Sequence, residues 1–180
     1  RLARDVEGVL PRLGMPSAVV RIALIPTDEP GAGGAEDVEF QVSLNPGFEP
    51  RPLRRVASGG ELSRVMLALK SLLARVDRVP TLVFDEIDAG IGGVVATGVA
   101  RTLAEVATDH QVFVITHLPQ LASRAGAHLL VRKGESDGVA VTSVAELRGD
   151  DRVVEIARML GGDPESDASR EHARELLAAG

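Results

Sequence analysis

The spacing of hydrophobic and polar residues changes several times along this chain, and each change marks an element. Leu2, Val6, Val9 and Leu13 recur at alternating steps of four and three. That seam predicts an amphipathic helix or the end of a coiled coil, with Pro11 kinking or ending it. Val19 to Ile25 is an apolar run, and Asp37 to Leu44 alternates strictly. Val38, Phe40, Val42 and Leu44 fall on one face of a half-buried strand, and Glu39, Gln41 and Ser43 fall on the other. The Pro/Gly-rich stretch from Pro26 to Ala35 reads as a flexible hairpin loop between them. From Gly60 to Val76, Leu62, Val65, Met66, Leu69, Leu72, Leu73 and Val76 mark one face of a helix.

The period then shortens. Thr81 to Phe84 and Val112 to Ile115 are continuous apolar runs, which predict central strands covered on both sides. Between them Val94 to Ala107 reads as a helix with Val95, Val99, Leu103 and Val106 inward. Strand, helix and strand in that order predict a parallel βαβ unit with a right-handed crossover. His128 to Arg132 and Val139 to Val144 predict a closing hairpin around Gly134 to Gly138. Arg152 to Leu160 and Ser169 to Ala178 predict two helices parted by Gly161-Gly162-Asp163-Pro164. The fold class that follows is α/β: a mostly parallel sheet flanked by helices, plus an antiparallel hairpin.

Composition narrows the chemistry. At 180 residues and 44% hydrophobic the chain can bury one real core. Aromatics make up only 2%, so that core is aliphatic and no stacking platform for single-stranded nucleic acid is built in. Without cysteine there is neither a disulfide framework nor a thiolate metal site, which fits a reducing, cytoplasmic setting. No signal peptide or membrane-spanning run is present. The net charge of −6 gives no global basic footprint, so any DNA contact must be local or made elsewhere in a larger molecule. Arg51, Arg54 and Arg55 form the densest basic spot and read as a solvated loop. A start at Arg1 rather than Met suggests a fragment.

Three motifs carry candidate chemistry. Ser58-Gly59-Gly60-Glu61 opens the Gly60 helix, and a helix start with two glycines is an anion site where a phosphate can approach bare backbone. The same Ser-x-x-Glu spacing is also a capping box, and both readings stand. Asp85-Glu86 closes the run Leu82-Val83-Phe84, at the strand end where open α/β sheets bind ligands. Asp85 is placed to hold Mg²⁺ and Glu86 to orient or deprotonate a water, the two tasks of phosphoryl transfer. The next loop, Ile87 to Gly93, is glycine-rich, and Asp88 could pair across it. His117 ends the second apolar strand, where a neutral imidazole could bond a phosphate or a water. A P-loop, G-x-x-x-x-G-K-[ST], is missing: Lys70 and Lys133 are the only lysines and neither follows a glycine.

Val56 to Arg64, Phe84 to Gly93 and Ile115 to Gln120 together resemble the signature, Walker B/D-loop and H-loop motifs of the RecN family, bacterial SMC-like ATPases of DNA double-strand-break repair. The Ala157-Arg158-Met159-Leu160-Gly161-Gly162 run and the strand before the signature agree with it. The resemblance implies ATP and Mg²⁺ as cofactors. Ser58, Gly59, Gly60 and Glu61 would contact the γ-phosphate of ATP on a second head, and Asp85 would serve Mg²⁺. Glu86 would activate water, Asp88 would reach across the dimer, and His117 would contact the γ-phosphate in its own head. Residues 1–14 would be the last return of a coiled coil and 15–180 the C-terminal head lobe. The implied partners are an N-terminal P-loop lobe of the same protein, a second head in an ATP-bridged homodimer, and DNA bound by the whole protein. The implied location is the cytoplasm, on the nucleoid, with no membrane partner. This lobe alone is expected neither to bind ATP tightly nor to hydrolyse it. The rival readings are a transporter's nucleotide-binding domain and a non-enzymatic dimerisation or DNA-binding module.

Overall fold

The computed structural model describes all residues except Ala57, Arg75, Asp137, Gly138 and Gly180, so the tip of the expected 134–138 loop lies outside the described residues. The chain forms two compact units, Arg1–Thr116 and His117–Gly180.

In the first unit α1 (Leu2–Val9) runs into a 3-10 turn, Leu10–Leu13, that stops at Gly14 in the left-handed region (φ 83°). Pro11 falls at the start of this tighter turn, where its missing N–H costs least. Val6, Leu10 and Leu13 are fully buried, whereas Leu2 and Val9 of the heptad-like spacing are half-buried, so Leu10 takes a place that the spacing did not assign it. The opposing surface is α3 (Gly93–Val106), pressed so close that a Cβ on Gly98 would lie 2.2 Å from the Arg12 carbonyl. Arg12 fastens the same contact from outside with a bidentate pair to Glu105 at 2.8 and 3.3 Å.

β1 (Val19–Gly31) and β2 (Gly34–Ser43) form a long antiparallel hairpin, to whose base β3 (Arg51–Pro52) adds briefly. The Pro/Gly-rich stretch is therefore mostly strand rather than loop. Pairing resumes from a register shift between Pro26 and Gly31 and ends at Gly31 opposite Gly34. The prolines are tolerated because β1 is an edge strand, where an absent N–H leaves no ladder bond unmade. Along the alternating face burial fades toward the tip, from buried Val42 through half-buried Phe40 to exposed Val38.

α2 (Gly59–Leu73), β4 (Thr81–Phe84), α3 and β5 (Gln111–Val114) follow in the expected order, and β4 and β5 pair in parallel from Thr81 opposite Gln111 to Phe84 opposite Val114. Two expectations change. The buried side of α2 is Gly60, Arg64, Val65, Leu67, Ala68 and Leu69, which keeps Val65 and Leu69 of the expected stripe but leaves Leu62, Met66 and Leu73 half-buried and Leu72 and Val76 exposed. And among the described residues β4–β5 is covered on one face only: Leu82 and Phe84 are buried, whereas Val83 is 65%, Phe113 43% and Ile115, just past β5, 60% exposed.

In the second unit a short helix α4 (Pro119–Ala122) precedes the antiparallel pair β6 (His128–Ser136) and β7 (Val139–Leu147), then α5 (Gly149–Met159) and α6 (Asp167–Ala178). Its small core joins Ala122, Val153, Ile156, Ala157 and Ala173. Among the described residues the sheets are thus one parallel pair, one antiparallel hairpin with a short third strand, and one plain antiparallel hairpin in an α/β chain.

Candidate functional site

The glycine turn and the acidic loop form one site in the first unit. Ser58 has extended backbone geometry, and its Oγ accepts a long 3.4 Å hydrogen bond from the Glu61 amide, half of a capping box. Gly59 is exposed at the first turn of α2, whereas Gly60 is buried. Ala57, in the same motif, lies outside the described residues.

The acidic loop lies directly on this turn. A Cβ on Gly60 would sit 2.8 Å from both the Ala89 Cβ and the Glu86 carbonyl oxygen, and one on Gly59 would sit 2.2 Å from Glu86 Oε2. Gly60 is therefore required here by contact with backbone atoms of the loop, independently of any ligand, whereas at Gly59 only the movable end of the Glu86 side chain stands in the way. Below them Ser63 Oγ donates to the Asp85 carbonyl at 2.8 Å. Arg64 Nη1 donates to the carbonyls of Ala89 and Ile87 at 3.0 and 3.3 Å. Gly60, Ser63 and Arg64 are spaced i, i+3 and i+4, so one helical face carries all three.

Each acid has its own setting. Asp85 is exposed at the end of β4, and its Oδ1 accepts from the Glu86 amide at 2.9 Å. Glu86 is exposed and is the one described non-glycine residue with positive φ, 56°, a sparsely populated conformation that needs its surroundings to hold it. Asp88, expected to reach a neighbouring head, is buried in this chain and accepts a 2.6 Å hydrogen bond from the Thr116 hydroxyl. Asp88 lies within the turn closed by the Ala89 amide donating to the Glu86 carbonyl at 2.9 Å. His117 opens the second unit and is exposed.

Reading the sequence alone gave no role to Ser63, Arg64 or Thr116. The signal for Arg64 was a charged residue on the helix face shared with Gly60; it emerges 5% exposed. Burial lowers its guanidinium pKa from the ordinary value, with Glu61 opposing, and a group of such high intrinsic pKa keeps its charge regardless.

On this strand end the protein offers a single exposed carboxylate, Asp85. Among the described residues no group of three or more His, Cys, Asp and Glu converges on a metal position. A single exposed carboxylate at a strand end is what Mg²⁺ commonly takes from a protein when phosphates and water supply the rest. The exposed start of α2 likewise offers helix N–H groups on one side only. Among the described residues no helix is long and apolar enough to cross a membrane.

No family model matches the chain. It is 51% identical to the DNA repair protein RecN of Treponema pallidum, over 97% of this chain and 32% of that protein. It is 52% identical to RecN of Deinococcus radiodurans, over 98% of this chain and 31% of that one. The chain thus spans about a third of the length of these curated relatives. Among solved structures it resembles the Smc head domain with an extended coiled coil from Pyrococcus furiosus, with a TM-score of 0.57 at 22% identity, over 89% of this chain and 37% of that chain. The Smc head of Pyrococcus yayanosii gives a TM-score of 0.55 at 23% identity, over 79% of this chain and 26% of that one. At such identity the likeness shows the fold, that of an Smc-type head.

Proposed function

We propose, for a chain homologous over nearly its whole length to about a third of the RecN DNA repair proteins, that it is the C-terminal lobe of an SMC-like ATPase head. In this reading ATP-dependent engagement of two heads is coupled to repair of DNA double-strand breaks. Residues 1–14 lead in from a coiled coil and 15–180 form the lobe. The transporter reading is set aside because the relatives are DNA repair proteins and the similar folds are Smc heads.

The observation that carries the proposal is the bare face of β4–β5. Parallel strands are normally covered on both faces, and a lone pair of strands is marginal. Here Val83, Phe113 and Ile115 stand open to solvent. Val83 and Asp85 are two residues apart, so the open face leads directly to the acid. A P-loop-bearing segment packed there covers the apolar face and brings its lysine to the strand ends.

Bound ATP and Mg²⁺ supply the phosphoryl group and neutralise its charge. Asp85 would hold the metal, Glu86 would orient a water and take its proton, and His117 would contact the γ-phosphate. The N–H groups at Ser58, Gly59, Gly60 and Glu61 receive the γ-phosphate of a second head's nucleotide, so that ATP bridges a homodimer. Asp88 supports the loop from within. DNA is engaged by the whole protein.

The test is co-expression of this chain with the P-loop-bearing segment. We expect the two to associate, association to fail in Phe113→Asp, and ATP hydrolysis to appear only in the pair. Glu86→Gln should keep ATP binding while turnover falls about 10²- to 10⁴-fold. Micromolar Mg-ATP binding by this chain alone in calorimetry, or unchanged turnover in Glu86→Gln, overturns the reading.

A further inference from the structure

Arg64 is a buried charged side chain in the first unit that the roles above leave unused. The residue is 5% exposed, and its Nε is buried without a hydrogen-bond partner. A leucine or methionine would fill the same space without an unmade N–H bond. What arginine adds is a grip on two carbonyls of one loop, Ile87 and Ala89. Ser63 takes a third, Asp85, and Gly60 sits against the Glu86 carbonyl and Ala89. Four contacts from one helical face thus bracket Glu86 on both sides. The bracketed residue is also the one whose backbone lies in the left-handed region, a conformation that persists only where neighbours over-determine it.

We infer that Arg64, assisted by Ser63, is a positioning residue for Glu86, locking the acidic loop to the start of α2 so that the two move as one body. The inference rests on the ATPase reading for its consequence and on the geometry alone for its structural content. A phosphate drawn to the Ser58 end of α2 then acts on the acidic loop through this bracket, at a turn where the Glu86 carboxylate itself lies over Gly59. The helix start thereby links occupation by a neighbouring head to placement of the acid in its own.

The test has two arms, using Arg64→Met, which keeps the packing and removes the donors, and Arg64→Lys, which keeps the charge. In this chain alone, amide hydrogen exchange is followed at Ala89 and Ile91, whose N–H groups bond within the loop. Arg64→Met should speed exchange there by about tenfold or more while the amides of 65–73 in α2 stay within about twofold. In the head completed with the P-loop-bearing segment, kcat should fall about tenfold or more with KM for Mg-ATP within about twofold, and Arg64→Lys should recover part of the loss. Unchanged loop exchange, exchange that rises equally throughout α2, or a loosened loop with unchanged kcat each overturn the inference. A completed wild-type head without turnover defeats the ATPase reading instead, and the exchange arm still decides whether Arg64 holds the loop.

Discussion

The two adjacent glycines at the start of α2 should respond differently to the same methyl group. In Gly60→Ala the new Cβ meets the Ala89 Cβ and the Glu86 carbonyl at 2.8 Å and the Ala89 carbonyl at 3.1 Å. Two of these are backbone atoms of a loop already pinned by Ser63 and Arg64, so none can swing aside. Overpacking of this kind costs about 1–3 kcal/mol. Alanine returns at most about 0.5–1 kcal/mol through helix propensity. The expected net loss is about 1–2 kcal/mol, or about 0.5–1 M in urea midpoint for a slope near 2 kcal/mol/M.

In Gly59→Ala the obstructing atom is Glu86 Oε2 at 2.2 Å, the far end of a flexible side chain. The carboxylate rotates away, and stability should stay within about 0.5 kcal/mol of the parent or rise. Turnover in the completed head should nonetheless drop, because the displaced group is the proposed base. Unfolding is best followed by helical circular dichroism, since the chain has neither Trp nor Tyr. Equal midpoints for Gly60→Ala and the parent, or a larger loss in Gly59→Ala than in Gly60→Ala, would refute this account of how the loop seats on the helix.

Other outcomes follow from single contacts. Thr116→Val removes the 2.6 Å hydrogen bond to the buried Asp88 carboxylate and should cost about 1–3 kcal/mol in denaturant unfolding; a neutral effect would mean that this bond does not hold the turn. His128 has its pKa lowered from 6.5, by burial first and then by Arg152, with Glu155 opposing. The unfolded chain therefore binds the proton more readily, so this contribution is complete above pH 6.5 and is lost as pH falls through the folded value. Thermal midpoints measured from pH 7.5 downward should fall more steeply in the parent than in His128→Gln, and parallel curves would contradict that sign.

The sequence by itself determined what local pattern can determine. Thr81–Phe84 stands as expected, and β5 and α3 lie within a residue of their expected limits. Apolar runs bounded by turn residues leave little choice of element. The motif order that pointed to the RecN family was legible too, because it is carried by residue identity and spacing. Which faces are buried was decided by tertiary structure. Leu72 was expected inside and is 40% exposed, whereas Arg64 was given no place and is buried. Periodicity marks a stripe but not the surface that will meet it. Likewise Val83 and Phe113 belong to runs that read as doubly covered, yet their cover is not supplied by the described residues. Asp88 is buried and bonded to Thr116, a partner 28 residues away that no local pattern reveals. The seating of Glu86 over Gly59 has the same origin: it joins two motifs distant in sequence, and only the fold brings them into contact.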